Sequence, residues 1–336
     1  MDIKHGNPNR REVMKKTIES ADGKFKFQVI LDFMQNMPEE YKYVPFCGNI
    51  AGGCCDKDGN FVRAVGSGNI PGMHFGEISP DGKELLFADV GSCRFVSLDL
   101  ETGEAKTALA PFHEHPQNNV NKNALTDWRM HKGVIATEPL HEEGCGGSFE
   151  WYQQRAAMTL GEPFHNPTDI DYDSQGNMYI SDGYGNCAVH KFDKDGTFVK
   201  TWGGNGYDHF FDNVDTPGKF LVPHSLAVDA KDHIWVCDRE KDAVHVFDTD
   251  GNLLFYAKGD LGQPSGVDAN SKYIYVCGRA GYLTIFDTDF NIVAELGEFN
   301  GDLRAHSVAC DEDGNVYLFP THANTEHQVI ALKAIK

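Results

Sequence analysis

Apolar and polar residues alternate along this chain in short runs, and most runs follow a turn rich in Asp and Gly. Period-two alternation between turn signals predicts short antiparallel strands rather than amphipathic helices. One unit recurs: DKDGNFVRAV from Asp56, SPDGKELLFAD from Ser79, DSQGNMYISD from Asp173, DAKDHIWVCD from Asp229, DANSKYIYVCG from Asp268 and DEDGNVYLFP from Asp311. A second hairpin of the same chemistry follows several copies: SLDLETGEAKT from Ser97, KFDKDGTFVKTWG from Lys191, VFDTDGNLLFYAKG from Val246 and IFDTDFNIVAELG from Ile285. Asp-Gly and Thr-Gly pairs supply the positive φ that two-residue hairpins need, so each unit reads as a four-stranded antiparallel blade.

Six copies predict an all-β chain, a six-bladed β-propeller spanning residues 1–336 as one domain. The lone VIALKAI strand near the end and the amino-terminal KFKFQVILDF suggest ring closure, the latter completing one of the terminal blades and leaving no exposed sheet edge. Residues 104–163 break the period and read as an insertion between the second and third blades, suited either to a lid or to an ordinary long loop.

Composition narrows the function. A formal charge of -20 argues against binding nucleic acid, which needs clustered Lys and Arg to displace counterions, and disfavours anionic membranes for the same reason. The amino terminus has no apolar signal region and no run is long enough to span a bilayer, so the expected location is cytoplasmic and the expected partner a small-molecule substrate. The 9 cysteines form no CxxC pair, and several sit in apolar strands as small hydrophobes, so disulfides are not required. Glycine-rich GCGGS from Gly144 and GGNG from Gly203 lack a strand-to-helix context and read as turns, not phosphate loops.

Setting the blades in register on the acidic turn exposes the candidate chemistry. Five residues before the turn stand Ala51, His74, Thr168, His224, approximately Ser265, and His306, so histidine occupies alternate blades. Equivalent positions at the start of innermost strands face the propeller axis at one end, so three imidazoles would converge from three directions. Catalytic zinc takes three protein ligands, often three histidines, and keeps a fourth position open. Taken singly, each histidine reads as an ordinary buried or turn residue; taken together at one register, they predict a site for zinc or another divalent transition metal. His113, His115 and His165 are secondary candidates by their nearness to the insertion and third blade.

The segments PTD with SDGYGN, VPHSLA with CDRE, and AHSVACDEDGNVY make the chain resemble NHL-repeat propellers and, more narrowly, the peptidyl-α-hydroxyglycine α-amidating lyases. That resemblance implies a mononuclear zinc site on the histidines matched by His74, His224 and His306, with the tyrosine and arginine matched by Tyr184 and Arg239 working beside it. It also implies an arginine near the end of the first blade's inner strands, where this chain reads AVGSG around Gly66, and Arg304 is the candidate replacement for binding a substrate carboxylate. The family's histidine-aspartate pair, which serves a structural calcium, is here His306-Ser307, so calcium is not expected.

The implied reaction splits an N-acyl hemiaminal into an amide and glyoxylate; a small carbinolamide such as ureidoglycolate suits this chain better than a peptide. Tyr184, with an ordinary pKa near ~10, needs neighbouring positive charge to serve as a base. Arg239 has an equally simple structural reading as an ion pair with Asp238 or Glu240. Two rival functions remain: metal-assisted hydrolysis of a lactone or ester, and a non-enzymatic protein-binding scaffold.

Overall fold

The computed structural model describes residues 16–31, 33, 53–55, 58–64, 73–90, 93–110, 163–204, 216–320 and 329–335. It is an all-β propeller. Numbering blades by the sequence repeats, the second comprises Met73–Ile78, Glu84–Asp89, Arg94–Asp99 and Ala105–Leu109, and the third Asp169–Tyr172, Met178–Asp182, Ala188–Phe192 and Phe198–Gly203. The fourth comprises Pro223–Val228, Ile234–Asp238, Ala243–Phe247 and Leu253–Lys258, and the fifth Pro264–Ala269, Tyr273–Gly278, Tyr282–Asp287 and Ile292–Gly297. In the last blade, Ser307–Cys310, Val316–Phe319 and Ile330–Ala334 are extended by Lys26–Ile30 and Lys16–Glu19.

The blade count corrects the sequence expectation. Among the described residues there are five blades of four or more strands rather than six, and the repeat at Asp56 contributes a two-stranded sheet, Gly53–Cys55 with Phe61–Ala64. The amino-terminal strands do not enlarge that sheet. They pair with the last blade, Phe27 opposite Ala334 and Ile30 opposite Ala331, so the two ends of the chain close one blade together. The insertion also starts later than expected: Ala105–Leu109 is the outer strand of the second blade because the Thr102-Gly103 turn completes its hairpin. Residues 111–162, with His113 and His115, lie outside the described residues.

The core is a series of apolar layers between consecutive blades, which is why both faces of these strands are apolar. Phe95, Leu98 and Phe87 belong to the second blade, and Phe95 meets Phe164, Ile170 and Phe192 of the third. Tyr179 and Val189 meet Phe220, Ile234 and Phe247 of the fourth, whose Trp235 meets Ile274 and Phe286 of the fifth. Each such side chain, fully removed from water, contributes about 1.5–3 kcal/mol.

Acidic residues fix the turns and the blade seams. Asp173 Oδ1 accepts the N–H groups of Gln175 and Asn177, both at 2.9 Å, closing the turn that sets the register. Asn270 does the same in the fifth blade, accepting from Lys272 and Tyr273 at 3.0 and 2.9 Å. Counting five back from Asn270 gives Ser265, so the register that was approximate in the sequence becomes regular. Among the described residues the innermost strands of neighbouring blades form no ladder with each other, and carboxylates take up several of their N–H groups. Asp171 Oδ2 accepts Val228 N–H and Asp268 Oδ2 accepts Cys310 N–H, both at 2.6 Å.

Candidate metal centre

His74 and His224 sit where the innermost strands of their blades slip register, between Met73 and Gly76 and between Pro223 and Ser225. A bulge of this kind re-aims a side chain that regular alternation would commit to a blade face. His306 stands one residue ahead of its strand, with its N–H on the Phe319 carbonyl at 2.9 Å. The three imidazoles meet at the axis, with ring centroids 4.8 to 5.3 Å apart, and each offers a nitrogen within 4.8 Å of the other two.

The protonation pattern is set by backbone carbonyls of the intervening blades. His74 Nδ1–H donates to the Thr168 carbonyl at 2.7 Å and His224 Nδ1–H to the Ser265 carbonyl at 2.6 Å. Both Nε2 atoms are therefore lone-pair acceptors. Burial holds the His224 pKa well below the ordinary histidine value, the Arg239 charge lowers it further, and the other two imidazoles add to this.

Tyr184 and Arg239 complete the cluster. The Tyr184 hydroxyl lies 2.8 Å from His224 Nε2 and 3.2 Å from His74 Nε2, and Arg239 Nη1 donates to it at 3.3 Å. Gly183 makes the approach possible, since a Cβ there would stand 2.1 Å from the Pro223 carbonyl oxygen. Arg239 opens a short 3-10 turn, Arg239–Lys241, docked through its own N–H to the Val222 carbonyl at 3.1 Å, while the Asp238 carboxylate holds the N–H groups of Leu221 and Val222. The ion pair anticipated for Arg239 forms with Glu240, at 3.0 Å, but it is buried rather than on the surface. Asp238 takes no part in it.

The Nε2 atoms of His74 and His224 face the same hydroxyl, and a phenol has a single proton to donate. A cation would satisfy every lone pair directed at it. The donor set is three imidazoles, the chemistry preferred by zinc, and tetrahedral zinc bonds of about 2.0–2.1 Å require the nitrogens to close to roughly 3.4 Å. Three histidines here could therefore hold a metal ion.

Other predicted positions lie elsewhere. Arg304 precedes the strand that follows His306, so strand alternation does not govern it; its Nε donates to the Gly301 carbonyl at 3.2 Å, and no hydrogen bond joins it to the histidines. His165 is buried with its N–H on Asp182, outside the cluster. Phe75, unremarked in the sequence, closes the site from below: its ring lies 4.1, 5.2 and 5.0 Å from those of His74, His224 and His306. Its signal was its place, directly after a register histidine, where the other blades carry Asp169, Ser225, Gly266 and Ser307.

Fold and site together define a β-propeller with a three-histidine cluster where its innermost strands converge. The NHL repeat family profile matches residues 220–247, the strand that bears His224 and the two that follow. Peptidyl-glycine alpha-amidating monooxygenase A of Xenopus laevis is 30% identical over 177 residues, 48% of this chain and 18% of that protein. The Mus musculus peptidyl-glycine alpha-amidating monooxygenase is 37% identical over 227 residues, 60% of this chain and 21% of that protein. Peptidyl-alpha-hydroxyglycine alpha-amidating lyase 1 of Drosophila melanogaster is 28% identical over 231 residues, 60% of this chain and 40% of that protein. The chain thus spans less than half the length of each of these relatives. Virginiamycin B lyase from Staphylococcus aureus shares the fold, with a TM-score of 0.51 at 13% identity over 93% of this chain and 89% of that one. Among the described residues no helix is long and apolar enough to cross a membrane.

Proposed function

We propose that this protein is a zinc-dependent lyase that cleaves the carbon-nitrogen bond of a small α-hydroxy-amide, releasing an amide or urea and an aldehyde such as glyoxylate. The observation that carries the reading is the contact of one phenol oxygen with two converging imidazoles and an arginine. The amidating-lyase relatives support the reaction type. His74, His224 and His306 would hold the metal, with Tyr184 and Arg239 catalytic.

When bound, zinc would supply Lewis acidity, drawing off the negative charge that develops on substrate oxygen as the bond breaks. The chain's own groups handle protons and position. Arg239 Nη1, donating to the Tyr184 oxygen, favours the phenolate form and so makes this tyrosine a competent base. Tyr184 takes the proton from the substrate's α-hydroxyl; the C–O bond becomes a carbonyl, the C–N bond breaks, and its electron pair leaves with nitrogen. Tyr184 then returns a proton to that nitrogen, which restores the phenolate and balances the reaction. Phe75 keeps the site apolar on the side facing the tunnel, which strengthens these electrostatic effects.

The proposed partner is a small molecule; nucleic acid and membranes do not enter the proposal. Metal quantification on wild type and His224→Ala, followed by glyoxylate release from ureidoglycolate and N-acyl-α-hydroxyglycines, tests the reading. One zinc per wild-type chain, lost in the variant, together with glyoxylate release is the expected result. Turnover of lactones without glyoxylate would replace the lyase with a hydrolase, and absence of stoichiometric metal would leave a scaffold.

A further inference from the structure

Thr168 and Ser265 occupy the register positions of the blades between the histidines, and both are fully buried. Each is engaged through both its carbonyl and its hydroxyl, and the Thr168 carbonyl also accepts the Phe75 N–H at 3.1 Å. The Thr168 carbonyl accepts His74 Nδ1–H, while its hydroxyl lies 3.0 Å from the carbonyl of Pro223, the residue before His224. The Ser265 carbonyl accepts His224 Nδ1–H, while its hydroxyl donates to the carbonyl of His306 itself at 3.0 Å. Ser181 Oγ, 2.8 Å from Thr168 Oγ1, can donate to that oxygen, and the threonine proton then faces the Pro223 carbonyl at 3.0 Å and the Ser181 carbonyl at 3.1 Å. The result is one hydrogen-bonded chain around the axis: imidazole to carbonyl, hydroxyl to the next ligand's backbone, imidazole to carbonyl, hydroxyl to the last ligand's backbone.

We infer that Thr168 and Ser265 are positioning residues for the histidine centre, locking the tautomer of two ligands through their carbonyls and the backbone of two through their hydroxyls. This rests on reading the centre as a metal site. Groups that orient metal ligands are typically worth about 10–100-fold in metal affinity, because a ligand free to turn must be reordered on binding. The physical need is specific here: the ligands come from three separate blades whose innermost strands share no ladder, so no regular secondary structure fixes their mutual distance.

A purely structural role predicts something different, and Ser225 is the comparison. It is also buried at the seam of the third and fourth blades, but its hydroxyl donates to Asp169 Oδ2 at 2.7 Å and not to a ligand's backbone. The experiment uses the full chain, stripped of metal, and measures zinc affinity by competition with a chromophoric chelator for wild type, Thr168→Val, Thr168→Ser, Ser265→Ala, the Thr168→Val/Ser265→Ala double variant and Ser225→Ala, with thermal denaturation of each metal-free form. Thr168→Val and Ser265→Ala are expected to weaken zinc about 10-fold each and the double variant about 100-fold. Thr168→Ser should recover most of the loss, and Ser225→Ala should stay within twofold of wild type at whatever cost in melting temperature. Zinc binding by wild type that is unweakened in Thr168→Val and Ser265→Ala, or weakened equally by Ser225→Ala, overturns this inference alone. Failure of wild type to bind zinc overturns the metal reading and this inference with it.

Discussion

The two ends of the axial tunnel are lined by the same innermost strands and treat charge in opposite ways. One end carries His74, His224 and His306; three residues along from His74, roughly 10 Å by strand geometry, Glu77 lines a cavity of about 220 Å³ together with Asp169 and Asp171 of the third blade's innermost strand and Asp268 of the fifth's. Burial is the leading cause at both ends. It lowers the His224 pKa, leaving a neutral ligand, and raises Asp171 well above the ordinary carboxylate value, Asp169 to about 8 and Glu77 to about 7. Removing water disfavours whichever form is charged, so one end is pushed toward neutral imidazole and the other toward neutral carboxyl. Phe75 stands between them. Desolvation thus works against a cation at the acidic end, where the charged form is the ligand, and in favour of one at the histidine end, where the neutral form is.

The largest expected effect falls at the histidine end. Tyr184→Phe removes the hydroxyl shared by two Nε2 atoms and should lower kcat about 10²–10⁴-fold, the usual worth of a positioned acid-base group. Zinc content should remain at the wild-type level, because the phenol is not one of the three imidazoles. Activity within threefold of wild type would remove Tyr184 from the chemistry and with it the proposed route of the proton.

Next in size is the divider. Phe75 packs on all three imidazoles and is 7% exposed. Phe75→Ala should destabilise the fold by about 3–5 kcal/mol in denaturant titration, and Phe75→Leu by less than about 1.5 kcal/mol. A cost under about 1 kcal/mol for the alanine variant would mean that the two ends are not separated by packing.

The carboxylate end yields a smaller, pH-dependent effect. Because burial raises these pKa values above those of the unfolded chain, the folded state binds more protons between about pH 4 and 8, so stability is greatest at the acid side of that window and falls as pH rises through it. Glu77 accepts only the N–H of its neighbour Ile78, so Glu77→Gln removes an ionisation with little loss of structure. The variant should lose less stability than wild type between pH 5 and 8, by on the order of 2 kcal/mol. Superimposable pH curves would show that the carboxyls ionise without penalty and that the contrast between the two ends is false.

The sequence exposed what is periodic and concealed what is not. The acidic turns marked the blades because Asp and Asn side chains close those turns in nearly every copy, and counting from them found His74, His224 and His306 at one position. The same count passed over Thr168 and Ser265 as blanks, since part of their contribution is made by carbonyls that every residue carries and the rest by hydroxyls whose partners lie on the next blade. Three residues further on, the column that reads Glu77, Asp171 and Asp268 was open to the same counting. Phe75 and the Arg239 to Glu240 pair depend on a close approach of blades that no local pattern encodes. The amino-terminal pair could join either end of the ring, and alternation alone does not say that it joins the last blade.

Arg304 marks the limit of counting and gives the smallest predicted effect. Two residues from His306, it would share a face with that ligand if both lay in a strand, and the strand begins only at Ser307. The chain between them is irregular, so the two side chains need not point alike, and the Arg304 Nε is held by the Gly301 carbonyl beside the turn at Gly281. Neutralising an arginine placed this way removes a partly buried hydrogen bond and no contact of the proposed reaction. Arg304→Ala should therefore leave kcat and KM for a carboxylate-bearing hydroxy-amide within about twofold, since losing one neutral-acceptor hydrogen bond away from the reacting groups costs stability and not transition-state binding. A tenfold rise in KM with kcat unchanged would instead assign it the carboxylate, and would require the segment from Gly301 to His306 to rearrange when substrate enters.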